Sequence, residues 1–249
     1  VALARVVLAP GRGVAVATGL LALLFSSFPF RFLAWGPLWP NLLSMALFPA
    51  VVAAALSAVA PRELLAGLPL PTIASRWYAV PALLVLGACQ PNAIVTGVVL
   101  AGALAWWAIP SWRRRRSGRW VRRLLSRPVF ALAVVAAVLG WRPFIPANMF
   151  VVNWQVSVGW GTALHDLGTF VDGSPAGAVL LGLLVLVGTV VLARARSTRW
   201  IVAFLLVLAT LFTVLYAVNG EWIRRITWLW WNDQVRLRAM TVLPALLAA

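Results

Sequence analysis

The sequence predicts an all-α, polytopic transmembrane helix bundle with short interfacial helices, on three observations. Of 249 residues, 63% are hydrophobic and only 10% are charged, where a soluble domain carries roughly 25% charged residues. The apolar residues fall in runs close to the length of about 20 that crosses a bilayer as a helix. The arginines stand in short clusters between those runs. Clusters placed in this way orient a chain in a membrane, so the formal charge of +16 does not call for a nucleic-acid partner, and none is expected. All 21 basic residues are arginine, which with the Ala, Val and Leu richness points to a GC-rich bacterial genome. A single cysteine, Cys89, excludes an internal disulfide.

Taken in order, the spanning candidates are 13–28, 41–60, 77–89, 93–109, 128–141, 176–193 and 201–218, with a partial one from Met240. Several are short. Pro81, Pro91 and Pro128 sit at or near their edges, where a missing amide donor is tolerated, so the helices are expected to be kinked or tilted. Across 77–109 the stretch "CQPN" reads either as a turn between two helices or as a break within one. The chain opens at Val1 without methionine or a signal-peptide layout and stops at Ala249 inside an apolar run. It is therefore expected to be a single transmembrane domain, 1–249, cut from a longer protein.

Orientation follows from "RRRRSGRWVRR", Arg113 to Arg123, with Arg127 just after it. The positive-inside rule makes the 112–127 loop cytoplasmic, in a bacterial plasma membrane. Alternation then places Arg5, Arg12, Arg62, Arg76, Arg194, Arg196 and Arg199 inside as well. The outer face receives "PFRFLAWGPLWPN", "CQPN", a loop at 142–175 and a Trp/Arg/Asp segment at 219–238. Asp166, Asp172, Glu221 and Asp233 fall on that face, and Glu63 on the other. Within the arginine cluster, Trp120 with Leu124 and Val121 with Leu125 share a helical face. That face reads either as a topology anchor or as a docking site for anionic lipid or a membrane-protein partner.

No phosphate-binding glycine loop, Cys/His metal spacing or Gly-x-Ser-x-Gly elbow is present, and no metal ligands are assigned. Candidate chemistry therefore lies on the outer face. Trp160, Leu164, Leu167 and Val171 recur at helical spacing, which predicts a short interfacial helix over 161–171. Its other side carries Thr162, Asp166 and Thr169, with His165 beside them. Asp166 or His165 reads as a general base at the mouth of a membrane cavity, or as polar residues wetting an exposed helix face. In "WLWWNDQVRLR", Trp228, Trp230 and Trp231 supply flat rings for stacking on sugars or for an interfacial belt. Arg224, Arg225, Arg236 and Arg238 supply bidentate donors for a phosphate. Asn232 supplies an amide, and Asp233 a carboxylate that orients a hydroxyl or pairs with a neighbouring arginine. Asn41 and Asn92, at the outer ends of spans, read as helix caps or ligand contacts.

"FLAWGPLWPNLLSMALFPAV", "QPNA" before a span and "WWNDQVRLRAM" together resemble an actinobacterial family of polytopic membrane proteins of unknown function. That family is similar to the GT-C class of lipid-linked glycosyltransferases, which includes arabinofuranosyl- and mannosyltransferases of cell-wall assembly. The family pattern has His-Pro-Asn where this chain has Gln90-Pro91-Asn92, and Trp-Tyr-Asn-Asp where it has Trp230 to Asp233. The resemblance implies a GT-C-like fold and transfer of a sugar from a polyprenyl-phosphate donor to a cell-wall glycan acceptor outside the membrane. It also implies a carboxylate base, with arginines or a divalent cation balancing the departing phosphate. The usual catalytic acid of that class lies in a first outer loop, which is expected to precede Val1, and the resemblance then implies that Asp233 and Arg236 are donor support. The alternative is a non-catalytic membrane subunit or a carrier for lipid-linked intermediates.

Overall fold

A computed structural model describes residues 2–8, 11–25, 39–59, 81–82, 84–115, 126–140, 157–170, 175–230 and 232–249. The stretch 26–38, most of the arginine-rich loop (116–125), the first part of the long loop (141–156) and Trp231 lie outside them. Among the described residues the chain is all helical, without a strand. The helices are α1 (Ala2–Val7), α2 (Arg12–Ala22), α3 (Trp39–Val59), α4 (Pro91–Arg115), α5 (Arg127–Gly140), α6 (Trp160–Thr169), α7 (Pro175–Arg194), α8 (Arg199–Val218), α9 (Glu221–Thr227) and α10 (Gln234–Ala248). A 3-10 turn, Trp228–Trp230, joins α9 to α10.

Three windows, Asn92–Pro110, Ala176–Arg194 and Arg199–Val218, are long and apolar enough to cross a membrane, and Arg12–Ala22 and Leu42–Ser57 are shorter apolar helices. The burial pattern separates their roles. In α8, Ile201, Phe204, Leu208, Phe212 and Leu215 are buried at helical spacing, so α8 is the axis against which α4, α6 and α10 pack. In α7 the buried stripe is narrow (Ala178, Leu181, Val185, Leu192), while Val179, Leu183, Leu186 and Val190 are exposed. An apolar helix that leaves most of its surface uncovered suits a hydrocarbon surround.

Lipid tails are as apolar as leucine, so close packing rather than hydrophobic exclusion holds such helices together. The glycines of α7 show it. A methyl group on Gly182 would strike the backbone carbonyl of Gly168 at the end of α6, and one on Gly188 the carbonyl of Ala248 in α10. Missing side chains there let α6 and α10 approach α7 at backbone distance. The α7–α8 hairpin closes through a tight turn: Thr198 Oγ1 donates to the Leu192 carbonyl at 2.7 Å and Arg199 Nε to that of Ala193 at 2.8 Å. Both satisfy carbonyls that a helix end leaves without donors.

Candidate functional site

The end of the bundle away from that hairpin gathers most of the polar residues singled out in the sequence. Ser157 Oγ donates to the Ala217 carbonyl and the Val158 amide to that of Tyr216 at 3.2 Å. These bonds pin the start of α6 beside the end of α8. Gly159 enters α6 at φ 82°, a left-handed conformation that favours glycine. The chain leaves α8 through Asn219 at φ 47° and turns into α9.

The segment "NDQ", Asn232 to Gln234, is first of all a turn into α10. Asn232 sits at φ 51°, where an asparagine side chain is tolerated far better than a branched one. Its Oδ1 accepts from Thr227 Oγ1 at 2.8 Å, and its amide donates to the Thr227 carbonyl at 3.2 Å. Asp233 then caps α10: its Oδ1 accepts from the Val235 amide at 2.8 Å, satisfying a first-turn donor. The other carboxylate oxygen lies 3.2 Å from Arg236 Nε, with the two side chains 4% and 11% exposed. Burial pushes the Asp233 carboxyl above its ordinary range, and the Arg236 charge and the amides of Val235 and Arg236 pull it back only in part.

Behind the cap, α10 is almost wholly enclosed, Arg238 included. Arg238 Nη2 reaches Thr169 Oγ1 at 3.5 Å, and Thr241 Oγ1 donates to the Arg238 carbonyl at 2.6 Å. Asp166, Phe212, Tyr216, Gln234, Val235 and Arg238 line a cleft of about 10 Å³, room for about one water-sized atom. Three helices distant in sequence thus bring a carboxylate, a guanidinium, an amide and a phenol to one point. His165 points away from it: 73% of its side chain is exposed, with Nδ1 3.4 Å from Asp166 Oδ1. The apolar Trp160 and Leu164 are also on the exposed side of α6. Asp166 and Thr169 turn toward the cleft and Arg238, on the side of α6 that also buries Ala163 and packs Leu167 against the core, while Thr162 stays exposed with His165.

The remaining candidates are dispersed. Arg225 pairs with Glu221 one turn earlier on α9. Arg224 and Trp228 are half-buried, and Trp222 is exposed. Trp230 is 2% exposed, and its indole N–H donates to Thr96 Oγ1 at 3.0 Å. Thr96 Oγ1 in turn donates to the Asn92 carbonyl at 3.0 Å, with the Asn92 side chain buried in the first turn of α4. Asn41 lies in the first turn of α3, its side chain outside what is described. Among the described residues no group of three or more His, Cys, Asp or Glu side chains is placed to hold a metal ion.

A family of unknown function (DUF6541) matches residues 1–249. The chain belongs to that family. No curated protein and no solved structure matches it. Sequence reasoning had passed over Gln234, Tyr216, Thr96 and Thr227. Thr96 and Thr227 carried a usable signal, since each lies four or five residues from an asparagine in the sequence, and a threonine at helical spacing from another polar residue often back-bonds to the helix.

Proposed function

We propose that this chain is a membrane glycosyltransferase of GT-C-like kind, moving a sugar from a polyprenyl-phosphate donor to an envelope glycan or glycolipid acceptor at the outer membrane face. The observation that supports it is the cleft where Asp166 of α6 meets Gln234 and Arg238 of α10. Asp166 acts as general base. It takes the proton of the acceptor hydroxyl, that oxygen bonds to the anomeric carbon, and the bond from this carbon to the phosphate oxygen breaks with its electron pair going to polyprenyl phosphate. Arg238, which lines the cleft, balances the charge of the departing phosphate. Asp233 is occupied as helix cap and ion-pair partner, so its role is to position Arg236. The quoted resemblance to lipid-linked glycosyltransferases supports the same reading.

The test is complementation in a strain lacking the wild-type copy, with polyprenyl-linked sugars and envelope glycans measured by mass spectrometry. Asp166→Asn is expected to accumulate the charged donor and leave the acceptor unmodified, while His165→Ala stays near wild type. Normal glycans with Asp166→Asn would sink the assignment. The water-sized cleft favours one competing reading, a non-catalytic subunit or carrier for lipid-linked intermediates. A carrier predicts altered sidedness of the lipid-linked sugar and no change in transfer by membranes opened to both sides.

A further inference from the structure

We infer that a groove between α3 and α4 takes the acyl chain of a bilayer phospholipid. The groove encloses about 280 Å³, and its walls include the buried Phe48 and Val52 of α3, Leu86 from the helical residues 84–89, and Ala93, Leu100 and Leu104 of α4. Every residue that lines it is apolar. Water has no hydrogen-bond partners there, and a cavity of this character stays dry and accepts apolar ligands. Left empty, its walls forgo the dispersion contacts that packed methylene groups make.

The occupant follows from where the groove opens. Ile94, Val98 and Ala101 stand at i, i+4 and i+7 on α4, are exposed, and also line the groove. They lie inside the Asn92–Pro110 window that is long and apolar enough to cross the membrane, so this edge faces hydrocarbon. The groove is a continuation of the lipid-facing surface, and the phase that reaches it consists of acyl chains. It lies on the α3–α4 side, so the site stands or falls independently of the glycosyl-transfer reading. Gly97 supplies the means to close it. A Cβ there would meet Phe48 Cε2 at 3.6 Å, ordinary contact, so a larger side chain grows into the groove without striking backbone.

The experiment uses the protein in phosphatidylglycerol vesicles containing a phosphatidylglycerol with a diazirine in its acyl chain. After irradiation, labelled sites are mapped by mass spectrometry. Labelling is expected to be several-fold higher at residues of the groove, Val52 and Gly97, than at Leu183 on the exposed face of α7. Gly97→Leu and, separately, Ala55→Leu should bring the groove down to the level of Leu183 and leave Leu183 unchanged. Equal labelling of groove and α7 face in the wild type overturns the proposal, and that comparison needs no variant to fold. Displacement of the probe by substoichiometric polyprenyl phosphate but not by excess unlabelled phosphatidylglycerol also overturns it, since the groove would then belong to an isoprenoid chain.

Discussion

Arg127 Nε donates to the backbone carbonyl of Trp106 at 3.2 Å, and that carbonyl is the one Pro110 leaves without its helical donor. Position 106 is four residues before 110, and a proline inside a helix such as Pro110 in α4 has no N–H to complete the i to i−4 bond. The guanidinium carbon also lies 5.2 Å from the centroid of the Trp106 ring. An arginine from the start of α5 thus replaces a backbone donor in α4 and holds the two helices together at their junction.

Arg127→Ala should therefore destabilise the bundle by about 1 kcal/mol, the usual net value of one hydrogen bond plus an exposed cation–π contact. The decisive measurement is a double-mutant cycle on thermal unfolding in detergent. In a Pro110→Ala background the helix supplies its own donor, so the same Arg127→Ala change should cost markedly less. Equal costs in the two backgrounds would show that Arg127 and the Trp106 carbonyl are uncoupled.

Much of the helical frame was legible in the sequence. The expected spans 93–109, 176–193 and 201–218 correspond to α4, α7 and α8 within a few residues, because uninterrupted apolar runs bounded by Arg, Pro or Asn leave little choice of structure in a membrane. The short helix expected over 161–171 is α6. The partial apolar run expected from Met240 lies within α10, which begins earlier, at Gln234. Arg236 and Arg238 broke the apolar run; the pairing of Asp233 with a neighbouring arginine, one of the two readings of that carboxylate, is found with Arg236, whereas no hydropathy pattern reveals that Thr169 contacts Arg238. The side of α6 that turns inward was equally hidden: Asp166 and Thr169 face the bundle together with the apolar Leu167, while Trp160, Leu164 and Thr162 are exposed, a division that crosses both faces read from periodicity.

The turn at Asn232 separates two roles of its side chain. Asn232→Gly keeps the left-handed backbone and loses the bond from Thr227, so about 1 kcal/mol is expected. Asn232→Ala loses the bond and must also hold a Cβ at φ 51°, adding roughly another 1 kcal/mol. Chemical denaturation of the two variants should rank glycine above alanine. The reverse order would mean that backbone conformation is not what this asparagine supplies.

Asp233 makes stability depend on acid pH in a direction that can be worked out. Its carboxyl is raised by burial, so the folded protein binds this proton more tightly than the unfolded chain does. The resulting stability is fully present below the ordinary carboxylate value of about 4 and is lost as pH rises through the raised folded value. Asp233→Asn keeps a side-chain oxygen for the cap but cannot ionise. Wild type should therefore lose melting temperature relative to Asp233→Asn as pH climbs from about 4, and the difference should level off once Asp233 is charged in both states. A difference that moves the opposite way would mean that the Arg236 pair outweighs desolvation.

Gly182 tests whether α6 is held against the bundle by backbone contact. A Cβ at 182 strikes the carbonyl of Gly168, which belongs to helix backbone and cannot swing aside as a side-chain end would. Gly182→Ala should push the C-terminal end of α6 away from α7, while Ala176→Leu, at an exposed position on the same helix, should leave it in place. Hydrogen exchange followed by mass spectrometry reads this locally: amides of 163–169 should exchange faster in Gly182→Ala, with those of α8 unchanged. Because Thr169 contacts Arg238 and Asp166 lines the same cleft, that displacement should also lower the proposed glycosyl transfer in membranes. Faster exchange over 163–169 with transfer at the wild-type rate would detach α6 from the chemistry and move the general base elsewhere.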